Sequence, residues 1–178
     1  MTLYVYPKSP KHSRADTDAR ILESLKRCFP QALSSEPLIL RTQTGKPYLS
    51  TGFPEIGVTH SDSVILVALH DAPFGIDCED KDRRVLHRDA LSRRFFSDGE
   101  RAFVQSGRTE DQKRQRFLEI WVKKEAYVKY TGQGLMQMPL VDSLRLPGHF
   151  ENRSDETRFI YLYYPPQPTT EKRNPDGR

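Results

Sequence analysis

The stretch Gly75-Ile76-Asp77-Cys78-Glu79 combines two carboxylates with an apolar face in one short segment of strand character. Because side chains two apart lie on the same face of a strand, Asp77 and Glu79 should project together, with Ile76 and Cys78 on the opposite, apolar face. Neighbouring carboxylates repel each other unless a proton or a cation lies between them. Mg²⁺ suits such a pair because it binds one or two carboxylates and keeps positions for water and phosphates. The alternative is an exposed strand that carries two solvated acids.

A second group of polar side chains lies in the segment Trp121-Val122-Lys123-Lys124-Glu125-Ala126-Tyr127-Val128-Lys129. Helical periodicity puts Glu125 on the apolar stripe of Trp121, four residues earlier. An acid on a core-facing stripe is costly to bury without a partner, and a metal ion, Lys124 or Lys129 would each serve. The simpler alternative is an exposed Glu125–Lys129 helix pair, worth about 0.3–0.5 kcal/mol.

Length and composition restrict the class of protein. The chain has 178 residues, 29% of them charged, and a net charge of +4 that is compatible with an anionic partner but does not require one. No apolar run approaches the roughly 20 residues needed to cross a bilayer, and the first residues do not have the pattern of a signal peptide. The two cysteines have no metal-ligand spacing. These features exclude a membrane protein, a secreted knottin and a structural zinc module, and they leave a cytoplasmic enzyme or a binding domain.

Periodicity and turn residues predict an order of strands and helices. We expect a helix over 16–29, a second that Ser97 begins with a capping box to Glu100, and a longer one from Thr109 to Gly132. The capping role explains Glu100 without a place in a metal site. The predicted strands cover residues 3–6, 38–41, 56–59, 64–69, 75–79, 144–146 and 159–164, with 75–79 alongside the two before it.

Two further features have open interpretations. His60, at the end of a predicted strand, either binds a phosphate or caps the turn. The basic run from Arg83 to Arg94 either docks an acidic protein or keeps the chain soluble.

Several motifs occur in an order that resembles the 4′-phosphopantetheinyl transferases, in particular the surfactin-synthetase type with two similar halves in one chain. The resemblance spans roughly residues 14 to 164 and rests on these motifs: Gly45-Lys46-Pro47-Tyr48, Thr59-His60-Ser61, Gly75 to Glu79, Phe95-Phe96-Ser97 with Glu100, Trp121 to Ala126, Lys129, and Gly132-Gln133-Gly134-Leu135. The chain departs from the family in Thr59, in Cys78, and in having no second apolar strand after residue 164, which predicts a reduced second half with an open sheet edge.

The resemblance implies an α+β, pseudo-twofold fold, in which each half has a small, mostly antiparallel sheet packed on a helix. The N-terminal half would be 1–80, the C-terminal half with the long helix 81–164, and 165–178 a disordered, basic, proline-rich tail. Coenzyme A would bind between the halves as co-substrate, and its phosphopantetheine arm would pass to a serine of an acidic acyl or peptidyl carrier protein. The expected protein is a cytoplasmic monomer with no nucleic-acid or membrane partner.

The resemblance also implies a role for individual residues. Asp77, Glu79 and Glu125 match the acids that hold Mg²⁺, with Mn²⁺ as a substitute, and Asp77, Glu125 and Lys129 match the catalytic set. Coenzyme A contacts are assigned to Arg20, Lys46, Thr59, His60, Lys124 and Lys129, and Arg14 is suggested for the 3′-phosphate.

Two other classes of function compete with this interpretation. A Mg²⁺-dependent nuclease of the D…E-x-K type would use Asp62 or Asp71 with Glu79-Asp80-Lys81. A non-enzymatic module would bind nucleic acid or acidic proteins through its arginines and would not need the carboxylates.

Overall fold

The computed structural model describes residues 1–167, and the predicted disordered tail falls mostly outside them. Its elements are β1 (Thr2–Pro7), α1 (Arg14–Cys28), β2 (Ile39–Arg41), β3 (Pro47–Leu49), β4 (Glu55–His60), β5 (Val64–His70), β6 (Gly75–Asp80), α2 (Arg88–Phe95), α3 (Asp98–Gln105), α4 (Glu110–Thr131), β7 (His149–Asn152) and β8 (Arg158–Tyr164). Two 3₁₀ helices cover Pro30–Leu33 and Leu135–Leu140. The predicted α+β class is confirmed.

The first half is an antiparallel sheet in the order β1-β5-β4, with α1 packed against it. A capping box in which Ser13 and Asp16 satisfy each other's backbone N–H groups begins α1. Ile21 and Leu25, one turn apart on α1, are fully buried and belong to one core cluster with strand residues such as Val67. A two-stranded β2–β3 ribbon precedes β4 and contacts it.

A second antiparallel sheet has the order β6-β8-β7 and is covered by α4. Strands β7 and β8 lie in the C-terminal half, whereas β6, at the end of the N-terminal half, was predicted alongside β4 and β5 and pairs instead with β8 over the register Gly75↔Tyr163 to Asp80↔Arg158. It still lies beside β4, and the Cys78 backbone N–H donates to Thr59 Oγ1 of that strand at 3.3 Å. Strand β6 therefore joins the two halves.

Four local predictions differ from the structure. Residues 143–145 form a turn where a strand over 144–146 was predicted, because the Asp142 side chain accepts from the backbone N–H of Leu144 and its carbonyl accepts from that of Arg145, both at 3.0 Å. Strand β7 was not predicted, since it is short and half polar, and it pairs with the side of β8 away from β6. Helix α2 and strand β3 were also missed, the first because its arginines obscure the apolar pattern and the second because it begins at a proline. Across residues 1–167, none of the helices is both long and apolar enough to span a membrane.

Close packing of β6 on α4 depends on Gly75. A Cβ atom at this position would lie 1.9 Å from the carbonyl oxygen of Ala126 and 2.6 Å from the backbone nitrogen of Tyr130. Backbone atoms cannot move aside as a flexible side chain can, so any larger residue must push the helix off the strand.

We therefore expect Gly75→Ala to lower the free energy of unfolding by about 2 kcal/mol or more. Urea denaturation of the purified variant measures this. The control is Gly99→Ala in α3, where a Cβ would meet no atom closer than 3.9 Å and alanine is the better helix former. Equal stability of Gly75→Ala and the wild type would contradict the packing argument.

Candidate functional site

A cavity of about 470 Å³ lies where elements of both halves meet. Helix α1, the β2–β3 turn and β4 form one side, and β6, α4 and the loop after α4 form the other. The polar side chains in its lining are Arg14, Thr17, Arg41, Thr44, Lys46, His60, Glu125 and Lys129. The apolar and glycine residues are Gly45, Pro47, Gly57, Val58, Phe74, Gly75, Ile76, Val128, Gly132 and Gly134. The site therefore combines cationic groups, one carboxylate and an apolar wall.

The carboxylate of Asp77, in the middle of β6, is almost completely buried next to this cavity. Its Oδ1 accepts hydrogen bonds from Thr59 Oγ1 at 2.8 Å and from Lys129 Nζ at 2.5 Å. Its Oδ2 is buried and has no hydrogen-bond partner among residues 1–167. Buried carboxylate oxygens are normally satisfied, so this one lacks a donor or a cation that residues 1–167 do not supply.

Glu79 and Glu125 carry the other two acids of the predicted cluster. Burial raises the pKa of Glu79 to about 7 against the opposing effect of Arg83, with which it forms an ion pair, and the nearby Asp77 and Glu125 add to the rise. Burial likewise raises the pKa of Glu125 to about 7, with Asp77 as the next contribution. The three carboxylates are thus close enough to repel one another.

Whether these acids fit a metal ion depends on their arrangement as well as their chemistry. Within residues 1–167, no three His, Cys, Asp or Glu side chains converge closely enough to surround one ion. The donor set nevertheless fits a hard cation, because all three groups are carboxylates and Asp77 Oδ2 has no partner in the part of the chain that the structure describes. Arg83 and Lys129 are the cations that now neutralise Glu79 and Asp77.

Lys129 contacts two acids of this site, Asp77 on β6 and Glu125 on α4. Its ammonium lies 2.5 Å from Asp77 and 3.9 Å from Glu125, one helical turn earlier on α4. Burial acts to lower the pKa of Lys129, but the attraction of Asp77 and Glu125 raises it overall. The side chain therefore stays an ammonium at neutral pH.

The cationic side of the cavity comes from the first half of the chain. Arg14 begins α1, Arg41 ends β2, and Lys46 lies in the turn that follows. Arg41 is held by an ion pair with Asp18, and Lys46 lies 3.7 Å from Glu55. Gly45 has a φ of +89°, a conformation that glycine adopts without strain and that brings Lys46 to the cavity wall.

His60 is the remaining titratable group of this lining. Burial lowers its pKa, and the positive charges of Lys8 and Lys129 lower it further. The imidazole is therefore neutral at pH 7 and can donate one hydrogen bond and accept another.

Three residues that we had assigned to coenzyme A are not in the cavity lining. Lys124 is fully buried and donates to Glu100 Oε2 at 2.8 Å, because successive residues on a helix point about 100° apart and Glu125 takes the cavity side. This corrects the assignment of Lys124. Arg20 pairs with Glu23 at 2.8 Å and lies over the ring of Tyr6. The third, Thr59, is buried and donates a hydrogen bond from Oγ1 to Asp77 Oδ1.

The structure adds residues that the sequence analysis had missed. Arg41 and Thr44 line the cavity, and only their position beside the Gly45-Lys46 motif could have indicated this. The prediction that Glu100 caps a helix is confirmed, since it completes the box with Ser97.

The nuclease arrangement is not assembled. Lys81 Nζ donates to the backbone carbonyl of Asp155 at 2.7 Å, and Asp71 pairs with His70 at 3.0 Å. The lysine that such a nuclease needs beside its acids thus contacts Asp155 and the ring of Phe159 instead.

Comparisons with known proteins agree with the cavity chemistry. The chain is 30% identical over 144 residues to 4′-phosphopantetheinyl transferase HetI of Nostoc sp. (strain PCC 7120), covering 78% of this chain and 60% of that protein. It is 36% identical over 115 residues to 4′-phosphopantetheinyl transferase AcpT of Salmonella typhimurium, covering 64% and 59%. A third relative, 4′-phosphopantetheinyl transferase gsp of Aneurinibacillus migulanus, is 29% identical over 99 residues, covering 55% and 39%.

The chain thus matches less than two thirds of the length of each of these relatives. The family model described as the 4′-phosphopantetheinyl transferase superfamily matches residues 73–172. That range begins just before β6 and includes Asp77, Glu79, Glu125 and Lys129. With more than half of its length matched, the chain belongs to the 4′-phosphopantetheinyl transferase superfamily.

Proposed function

We propose that this protein transfers the 4′-phosphopantetheine arm of coenzyme A to a serine hydroxyl of an apo acyl or peptidyl carrier protein. The second product would be adenosine 3′,5′-bisphosphate. The observation that carries the proposal is Asp77, whose buried Oδ2 has no hydrogen-bond partner in the described residues and whose Oδ1 accepts from Lys129 of the cation-lined cavity. Three relatives whose names specify this transferase support it.

Coenzyme A would bind with its phosphates toward the cationic side of the cavity. Arg14, Arg41, Lys46 and His60 offer donors suited to phosphate oxygens, and the guanidinium groups can bind such oxygens in pairs. The apolar wall around Val58, by contrast, suits the less polar parts of the molecule.

Asp77, Glu79 and Glu125 would hold Mg²⁺, or Mn²⁺ in its place. When bound, the ion would neutralise charge that develops on the pyrophosphate during transfer. The positive charge of the ion would also relieve the mutual repulsion of the three carboxylates, which otherwise disfavours their ionised forms.

The chain's own residues would position and polarise the reactants. Lys129, held by Asp77 and Glu125, directs a fixed positive charge at the site where the phosphate link breaks, which stabilises the transition state more than the ground state. Glu125 would accept the proton of the carrier serine, since its carboxylate lines the cavity. Attack on a pyrophosphate needs such positioning more than it needs a covalent intermediate.

The test is incubation of the protein with coenzyme A, Mg²⁺ and purified apo carrier proteins from fatty acid, polyketide and nonribosomal peptide synthesis. Mass spectrometry should show one carrier gaining the mass of a phosphopantetheine arm. Folded protein that modifies none of these carriers would refute the proposal. We also propose a cytoplasmic monomer that acts without nucleic acid or a membrane.

Docking of the carrier would involve the basic residues of α2. Arg93 and Arg94 lie in its last turn and extend the basic run that begins at Arg83. Carrier proteins would be attracted to this helix if their docking surface is acidic, and charge at an interface chiefly affects encounter.

Charge reversal of both residues, Arg93→Glu/Arg94→Glu, should raise the KM for the carrier about 10-fold and leave the KM for coenzyme A unchanged. Steady-state kinetics with each substrate varied in turn measures this. The matched control is Lys26→Glu/Arg27→Glu on α1, which changes the net charge equally in the other half. Equal carrier KM values for both double variants would rule out a local role for α2.

A further inference from the structure

Glu100 is a carboxylate with no exposed surface that receives four hydrogen bonds from three parts of the chain. Its Oε2 accepts from the backbone N–H of Ser97 at 2.8 Å and from Lys124 Nζ at 2.8 Å. Its Oε1 accepts from the backbone N–H and the hydroxyl of Ser143, both at 2.7 Å. Lys124 donates in addition to the carbonyl of Val141.

This set of donors matches a carboxylate, because both of its oxygens accept hydrogen bonds. A glutamine has an NH₂ group in place of one of these oxygens, so it would lose at least one of the hydrogen bonds that Ser97, Lys124 and the backbone N–H of Ser143 donate. Helix capping, which the sequence explains, accounts for one of the four bonds. The other three tie α3 to α4 and to residues 141–143.

The tied segment leads directly to the cavity. Gly132 and Gly134 line the cavity at the end of α4, and the 3₁₀ helix Leu135–Leu140 then connects them to Val141 and Ser143. Because Lys124 sits next to Glu125, the same pair also fixes the helix that carries the cavity acid. The Glu100–Lys124 pair is therefore connected to one cavity wall at two places, through α4 and through the segment after Gly134. Neither residue of the pair lines the cavity.

Stability alone does not explain a buried ion pair at this place. Removing two charges from water costs about as much as their attraction returns, and apolar residues often serve as well. The hydrogen bonds of Glu100 fix the relative positions of α3, α4 and residues 141–143. Apolar packing would hold these segments together less specifically.

We propose that Glu100 is a positioning residue for the coenzyme A cavity and acts through Lys124 and Ser143 on the wall formed by Gly132 and Gly134. The inference rests on the proposed function, since coenzyme A is the ligand being positioned. Glu100 itself contacts no reacting group.

The experiment is calorimetric titration of coenzyme A into folded protein, at a temperature well below each variant's unfolding midpoint. Glu100→Gln should raise the Kd for coenzyme A about 10-fold, and the milder Ser143→Ala about 3-fold. Ser143→Ala keeps the ion pair and loses only the hydroxyl bond, so it tests the proposal even if Glu100→Gln does not fold. The control is Lys123→Met, which breaks an ion pair with Glu119 at 2.6 Å one residue before Lys124 on the same helix.

Loss of stability without a positioning role would leave the Kd of the folded fraction unchanged. Wild-type affinity in both Ser143→Ala and every folded Glu100 variant would overturn this inference and leave the proposed function intact. Absence of binding by the wild-type protein would instead overturn both. A Lys123→Met variant as weak in binding as Ser143→Ala would also overturn the inference, because the effect would then belong to α4 in general.

Discussion

Asp77→Asn should lower kcat/KM for carrier modification by at least about 100-fold while leaving the fold intact. Asparagine has the size of aspartate, and its carbonyl oxygen can keep the hydrogen bonds that Oδ1 now accepts from Thr59 and Lys129. The amide NH₂ then occupies the position of Oδ2, the oxygen that has no partner in the described chain. A cation cannot bind to an N–H donor, so the change removes the charge and one candidate ligand together.

The measurement combines transfer kinetics with the binding of Mn²⁺ followed by electron paramagnetic resonance. Asp80→Asn is the control, because it lies three residues along on the same strand and its carboxylate accepts from Ser61 and Ser63 outside the cavity lining. Asp80→Asn should retain transfer and Mn²⁺ binding. An Asp77→Asn enzyme with the transfer activity of the wild type would show that Asp77 neither holds the ion nor directs Lys129.

Lys124→Met should lower the free energy of unfolding by about 3–5 kcal/mol. Methionine fills much of the same space, but it leaves Glu100 as a fully buried carboxylate without its counter-ion. The effect should be coupled to Glu100→Gln, because the second change removes the charge that the first leaves unpaired. A double-mutant cycle by urea denaturation should give a coupling energy of at least about 1 kcal/mol.

The neighbouring pair supplies the comparison for this stability effect. Lys123→Met breaks the partly exposed pair with Glu119 and should cost no more than about 1 kcal/mol. If Lys124 were an exposed residue whose role is to bind coenzyme A, Lys124→Met and Lys123→Met would be equally stable. Similar unfolding midpoints in urea would therefore support the original assignment of Lys124 over the buried pair.

Elements with strong periodicity could be predicted from the sequence to within a few residues. Strand β5 is a continuous apolar run, and α4 has a threonine cap at its start and Gly132 in the left-handed conformation at its end. Short or highly charged elements could not. Helix α2, with three arginines in eight residues, and strand β7 depend on contacts with other parts of the chain instead of on their own composition.

The candidate site divides in the same way. Local spacing placed Asp77 and Glu79 on one strand and Glu125 and Lys129 on one helix, because the periods of strands and helices are fixed. Local spacing did not reveal which of two lysines five residues apart on α4 faces the acids. Lys129 does, and Lys124 points to the interior, where Glu100 comes from a helix 24 residues earlier.

By itself, therefore, the sequence indicated the family, four candidate site residues that the structure brings close together and the order of most strands and helices. Each of these depends on residue types at short, regular distances along the chain. Only the tertiary structure decided that β6 pairs with β8 in the second half, that Arg41 reaches the cavity, and that Glu100 binds Lys124 and Ser143. These facts depend on contacts between distant segments, where packing and the satisfaction of buried charges select among arrangements that local spacing leaves equally possible.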